Sequence, residues 1–309
     1  MRILFWGTPA FAVPSLRALS EEGYDVVGVV TQPDRPAGRG RVLRASPVKQ
    51  LALAEGFPVL TPERPRGDEF LQELRALEPD LSVVVAYGHI LVREVLDLPR
   101  LGSINVHASL LPKLRGAAPI HWAIARGHEV TGVTVMRMVE GMDAGPMLHR
   151  VEEPIGPEET STELATRLSE VGAQALIEAL TLLAAGALSE EEQDHDQATF
   201  APKVSREAAR IDWTRSAREV ADHVRAMDDV PGAWTTLEGE ALKLFRPRVG
   251  EGEGEPGRVL RSADGAGGVG VATGDGVVWF GEVQPPGRRR MASDAWLRGR
   301  GLGDDARFE

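Results

Sequence analysis

Short apolar runs alternate with helical spacings over roughly the first 185 residues. Ile3-Leu4-Phe5-Trp6 is a continuous apolar run, followed by Gly7-Thr8-Pro9 and then by Phe11, Val13, Leu16 and Leu19 along one helical face. A second apolar run, V-V-G-V-V, lies within residues 25–31. Strand, glycine turn, helix and strand make a βαβ unit, which predicts a parallel sheet. Ser46-Pro47 caps and opens a helix to about Glu55, a short strand surrounds Val59, and a helix covers residues 68–77. Buried strands are expected at 81–86 and 103–107, a short helix at 119–126, and strands at 132–138 and 147–151. A long amphipathic helix from Thr160 to about Ala185, capped by Ser161 or Thr160, closes this region.

Downstream the pattern changes. Residues 189–206 are polar, acidic at first and poorly periodic, and read as a linker between a catalytic domain (1–188) and a second domain (207–309). In the latter, one helix (216–227) precedes short β-like runs at 242–245, 258–260, 269–272 and 277–280, separated by glycine-rich turns. That spacing suggests a small barrel, the oligonucleotide-binding (OB) fold being one option. The expected class is α/β: a Rossmann-like, mostly parallel sheet with helices on both faces, then an OB-like C-terminal β-barrel domain.

Bulk properties narrow the functional classes. A chain of 309 residues accommodates two domains, and 42% hydrophobic with 26% charged residues is a globular composition. No apolar run reaches the roughly 18 residues of a membrane span, so no membrane partner is expected. The chain enters a strand at once, so no signal peptide is expected, and with no cysteine there is no thiolate chemistry or disulfide; both fit a cytoplasmic protein. The net charge of −11 argues against a general nucleic-acid coat, but from Lys203 onward 17 basic residues meet 18 acidic ones, so nearly all the excess lies upstream. Within that acidic part, the segment between Asp34 and Glu55 carries Arg35, Arg39, Arg41, Arg44 and Lys49 and no acidic residue. It is either a solvated loop or an arm that grips a phosphate backbone. Two prolines and two glycines argue against regular structure there. Gly7 stands alone without G-x-G-x-x-G, so NAD is not expected, and the seven histidines show no zinc-like pairing, so no metal is expected either.

The chemistry concentrates at G-S-I-N-V-H-A-S-L-L-P-K-L-R-G, residues 102–116. Side chains alternate along a strand, so Asn105 and His107 share one face and Ile104 and Val106 the other. Donors fixed where negative charge grows on a carbonyl oxygen are what acyl transfer requires. His107 is alternatively a general base or acid. Asp143, in a glycine-flanked turn, could orient His107 and hold it charged, a triad's support without its nucleophile. Ser109 has no G-x-S-x-G elbow, which favours direct transfer to an amine over a covalent acyl-enzyme. The plainer readings stay open: a structural histidine at a strand end, a turn-capping asparagine and an ordinary turn aspartate.

Asn105-x-His107, then Ser109-Leu110-Leu111-Pro112 and Arg115-Gly116-Ala-Ala-Pro119-Ile120, with Asp143 in G-x-D-x-G, resembles the signature of the folate-dependent formyltransferases. T-Q-P-D-R-P-A-G-R-G (31–40), S-P-V-K (46–49), A-R-I-D-W (209–213) and P-G-A-W (231–234) resemble the branch of that family whose acceptor is methionyl initiator tRNA. The motifs span Arg2 to Phe245; Asp228-Asp229-Val230 before Pro231 departs from the family's usual N-P-x approach. The resemblance implies transfer of formyl from 10-formyltetrahydrofolate to the methionyl α-amino group by a monomer. Asn105 and His107 would stabilise the tetrahedral oxyanion, with Asp143 supporting charged His107 and helping to move the amine proton. Ser109, Leu110, Leu111 and Pro112 would contact folate, with the pterin against Tyr87, Gly88 and Ile90. The basic residues 35–49, Arg39 foremost, would meet the acceptor stem, and Arg246, Arg248, Arg288, Arg289 and Arg290 the tRNA body. Three other readings are a formyltransferase acting on a UDP-amino-sugar, a shorter relative acting on glycinamide ribonucleotide, and a non-catalytic tRNA-binding protein.

Overall fold

The structure is a computed structural model and describes every residue except 38–41, 262–267, 301 and 303–304. In chain order the elements are β1 (Arg2–Gly7), α1 (Val13–Glu21), β2 (Asp25–Val30), β3 (Arg35–Ala37), β4 (Val42–Arg44), α2 (Pro47–Ala54) and β5 (Val59–Leu60). Next come α3 (Asp68–Ala76), β6 (Leu81–Val85), α4 (Arg93–Leu96), β7 (Ser103–His107), α5 (Pro119–Ala125), β8 (Val130–Arg137), β9 (Met147–Pro154) and α6 (Ser161–Ala184). The remainder is α7 (Ala217–Ala226), β10 (Trp234–Leu237), β11 (Glu240–Gly250), β12 (Val259–Arg261), β13 (Val269–Ala272), β14 (Val277–Gln284), β15 (Met291–Ala292) and α8 (Ser293–Arg300).

Two compact units result. One comprises Met1–Gly116, Val130–Pro154 and Ala165–Phe200; the other Ala117–Glu129, Ile155–Leu164 and Ala201–Glu309. In the first, a seven-stranded sheet runs β5-β2-β1-β6-β7-β8-β9. β1, β2, β5, β6 and β7 are parallel, and β8 and β9 are antiparallel. β1, β2, β6, β7 and β8 are buried along almost their whole length, as the middle of a sheet covered on both faces demands, whereas edge strands β5 and β9 are only partly buried. Gly7 serves packing: a Cβ there would sit 2.8 Å from both the Ala12 methyl and the Phe5 ring, so the turn after β1 closes only on a hydrogen. α2 begins where expected, the Ser46 hydroxyl accepting from Lys49 N at 3.0 Å.

The basic segment differs from the irregular loop expected. Its flanks pair as β3 and β4, Arg35 opposite Arg44, because Pro36 lies in a two-stranded ribbon, where a missing N–H costs little. Residues 189–200, read as linker, belong to the first unit: Glu191 and Met147 exchange both backbone hydrogen bonds, at 2.9 and 2.8 Å.

The second unit is an antiparallel sheet, β10-β11-β14-β13-β12 with β15 on β14. Trp213 packs edge-on to Phe280 at 5.9 Å and also against Phe308. α7 is fixed by a capping box between Ser216 and Glu219. Among the described residues, no helix is long and apolar enough to cross a membrane.

Candidate active site

β7 lies between parallel β6 and antiparallel β8, Asn105 standing beside Val84 and Met136. The Val106 methyl is 3.1 Å from where a Cβ on Gly172 of α6 would lie, so Val106 faces that helix and Asn105 and His107 face away from it. His107 is 6% exposed, and its Nε2 is 3.0 Å from the Leu114 carbonyl oxygen. A carbonyl only accepts, so Nε2 carries a proton and donates. Nδ1 faces the Asp143 carboxylate at 3.7 Å, an ion-pair separation longer than a hydrogen bond. The same Asp143 oxygen accepts the Gly116 backbone N–H at 2.7 Å. Asn105 is half-buried, and its carboxamide has no hydrogen-bond partner among the described residues. His107 and Asp143 therefore meet at the end of β7, with Asn105 on the same strand face and its amide uncommitted.

The intervening loop is tied down from within. The Ser109 hydroxyl donates to Lys113 O at 2.7 Å, and the Thr134 hydroxyl donates to Ser109 O at 2.7 Å while accepting from Leu111 N at 3.2 Å. Ser109 is fully buried, and Leu111 packs with Met136 and Met147. Of the four residues expected to touch folate, only Leu110 and Pro112 are more than marginally exposed. The Leu111–Pro112 peptide is cis. Asp143 (φ 48°) and Leu114 (φ 61°) are left-handed, each at a cost of about 1 kcal/mol or more, and such strain gathers at functional sites.

β6 ends beside β7 at the same sheet edge, placing Tyr87, Gly88 and Ile90 just beyond it. Tyr87 is 2% exposed and edge-on to Trp6 at 5.2 Å; burial pushes its phenol up to about 12. Its hydroxyl and His89 Nε2 are buried without a partner among the described residues. Gly88 has φ 88°, and a Cβ on it would come 2.5 Å from the Gln32 amide nitrogen, which donates to Tyr87 O. Ile90 is 87% exposed. Tyr87 packs into the core with Trp6 and Phe70, so of the three residues expected beside the pterin only Gly88 and Ile90 are open.

The basic residues divide by environment. Arg35 and Arg44 are exposed, Lys49 is paired to Asp34 at 2.8 Å, and Arg39 and Arg41 lie outside the described residues. In the second unit, Arg248, Arg288 and Arg289 are exposed, and Arg246 lies 3.7 Å from Glu282. Arg290, also expected to meet tRNA, is held by carboxylates of its own unit. It bonds Glu282, reaches Asp228 at 3.2 Å and Asp229 at 3.8 Å, and stacks on Phe245 at 3.9 Å, so its charge is already neutralised. Sequence reasoning missed Gln193 and Thr199, which bond the loops at Leu114–Arg115 and Asp143–Gly145; an acidic, aperiodic tract carried no signal for them. Among the described residues no group of three His, Cys, Asp or Glu is placed to hold a metal ion.

Two family profiles match the chain. The formyl transferase profile matches residues 1–180 and the formyl transferase C-terminal domain profile matches residues 203–301. The chain is 48% identical over 305 residues to the methionyl-tRNA formyltransferase of Desulfotalea psychrophila, covering 98% of this chain and 94% of that protein. It is 50% identical over 291 residues to that of Stutzerimonas stutzeri, covering 94% and 92%. The structure of HypX from Aquifex aeolicus in complex with tetrahydrofolic acid shares the fold, with a TM-score of 0.64 at 22% identity over 96% of this chain and 47% of that one. Matched in both of its parts and at nearly half its positions, the chain belongs to the formyl transferase family.

Proposed function

We propose that this protein transfers the formyl group of 10-formyltetrahydrofolate to the α-amino group of methionyl initiator tRNA, as a cytoplasmic monomer. The observation that carries this reading is the 48–50% identity, over 94–98% of the chain, to proteins named methionyl-tRNA formyltransferase, together with the match of residues 203–301 to the C-terminal domain profile. Residues 1–188 would carry the chemistry and 207–309 would hold the tRNA body.

When bound, the folate supplies the formyl group and its N10 is the leaving nitrogen. The open residues after β6, Gly88 and Ile90, and Leu110 with Pro112 would hold it. Asn105, whose amide is free, meets the negative charge that grows on the formyl oxygen as the amine attacks. Leu114 fixes the His107 ring through Nε2, leaving Nδ1 to take up the amine proton on its way to the leaving nitrogen. The Asp143 carboxylate stabilises the imidazolium so formed, whose charge also favours the oxyanion. Arg35 and Arg44 lie on one ribbon suited to acceptor-stem phosphates, and Arg39 and Arg41, which fall between them in sequence, would add to that charge.

The test is incubation with 10-formyltetrahydrofolate and methionyl initiator tRNA, with UDP- and dTDP-linked amino sugars as parallel acceptors. Formylmethionyl-tRNA should be the only formylated product, with tetrahydrofolate released alongside it. A kcat/KM for a sugar amine equal to or above that for tRNA would replace this reading with the sugar one. tRNA binding without any turnover would favour a non-catalytic protein.

A further inference from the structure

We propose that Gln193 is a positioning residue for Asp143, and that it and Thr199 form a strap holding the two loops of the active site in register. This deepens the formyl-transfer reading and rests on it. Gln193 is 4% exposed, and its carboxamide is fully used. Nε2 donates to Asp143 O at 2.8 Å and to Gly145 O at 2.7 Å. Oε1 accepts from Arg115 Nε at 3.1 Å and from Arg115 Nη2 at 2.6 Å. Two N–H groups and two lone pairs are all a primary amide has, and all four are spent. Glutamate has no donor and lysine no acceptor; asparagine is a methylene shorter.

Both ends of this bridge abut the reacting groups. Arg115 stands between Leu114, whose carbonyl fixes His107, and Gly116, whose N–H holds the Asp143 carboxylate. Thr199 secures the same stretch twice, its hydroxyl accepting from Leu114 N at 2.9 Å and its carbonyl from Arg115 N at 2.8 Å. The strap is anchored upstream by the Glu191–Met147 backbone pair. The need for it is local. Asp143 and Leu114 are both left-handed without glycine's freedom, so neither loop keeps its shape on propensity alone. Asp143 faces His107 across 3.7 Å, and its short side chain follows its backbone. A displacement near 1 Å costs about 10² in rate.

A structural alternative is that Gln193 merely solvates the buried Arg115 guanidinium, 6% exposed, whose Nη2 also lies 2.9 Å from His195 Nδ1. Gln193→Glu separates the two roles: beside Arg115 it stays ionised and keeps the acceptor, but loses both donors to the Asp143 turn. As a positioning variant it should lower kcat by roughly 10²-fold with KM for folate and tRNA within about threefold. It should also speed Gly116 amide hydrogen exchange by about tenfold or more, as the Asp143 carboxylate drifts. Thr199→Val, at an exposed residue, removes one bond to Leu114 and should cut kcat several-fold with KM unchanged. Wild-type kcat and Gly116 exchange in Gln193→Glu overturn the proposal. Should that variant not fold, unchanged kcat and unchanged Gly116 exchange in Thr199→Val overturn it instead. The exchange arm needs no turnover, so a wild-type protein that formylates no acceptor refutes the functional reading while the strap is still tested.

Discussion

Replacing Asp143 with asparagine isolates one electrostatic contact. The amide is nearly isosteric and keeps an oxygen for the Gly116 N–H, so the turn should survive while the charge facing His107 is lost. Unit charges 3.7 Å apart at an effective dielectric near 20 attract by ~4.5 kcal/mol. The Asp143 side chain is 18% exposed, and solvent screening roughly halves that figure, leaving about 2–3 kcal/mol or ~10²-fold in rate. The assay is single-turnover formyl transfer to methionyl initiator tRNA at saturating folate, with folate affinity measured separately and expected within about threefold. On the proposed role, in which Asp143 acts through His107, the loss should nearly vanish in a His107→Ala background, where the two effects are not additive. His107→Ala should itself abolish transfer to within the residual rate and leave tRNA binding intact. A loss below about fivefold in the single variant, or multiplicative losses in the double variant, would refute the imidazolium argument.

Three further outcomes follow from the geometry. Asn105→Ala should lower kcat by about 10²–10³ without a matching rise in the KM for folate, since on the proposed role its free amide would bond only the developing oxyanion; equal changes in both would assign it to binding. Raising salt should weaken tRNA use, and Arg35→Ala with Arg44→Ala should reduce the slope of log KM against log salt by about one to two, whereas Arg290→Ala should leave the slope unchanged because Asp228, Asp229 and Glu282 already neutralise that charge. Burial raises the Asp228 carboxyl above its ordinary 3.8 even against Arg290, so the buried acid favours the folded state most when protonated and opposes it as pH rises through the raised value. Asp228→Asn should therefore raise the melting temperature at neutral pH and leave it unchanged below about pH 3.5, as read by calorimetry; a lower melting temperature at pH 7 would show the ion pairs to outweigh desolvation.

Local signals carried most of the architecture. Apolar runs and helical spacing marked the strands and helices of the first unit, and Ser46, Thr160 and Ser216 announced their helix starts through side-chain bonds three residues on. Alternation alone put Asn105 and His107 on one face, because a strand's side-chain period is independent of what packs around it. The motif around them, with its downstream G-x-D-x-G turn, sufficed to name the family.

Long-range pairing decided the rest. An ion pair and a carbonyl bond at His107 depend on residues 36 and 7 positions away, and no local pattern sets such distances. Arg290 looked like its neighbours Arg288 and Arg289 until the fold set three carboxylates around it, since charge neutralisation is a property of neighbours in space. The tract at 189–200 shows the limit best. Its polarity matched a solvated linker, yet Gln193 is buried there with every bond of its amide made. A polar residue is cheap to bury only where partners converge on it, and that convergence exists only in the tertiary structure.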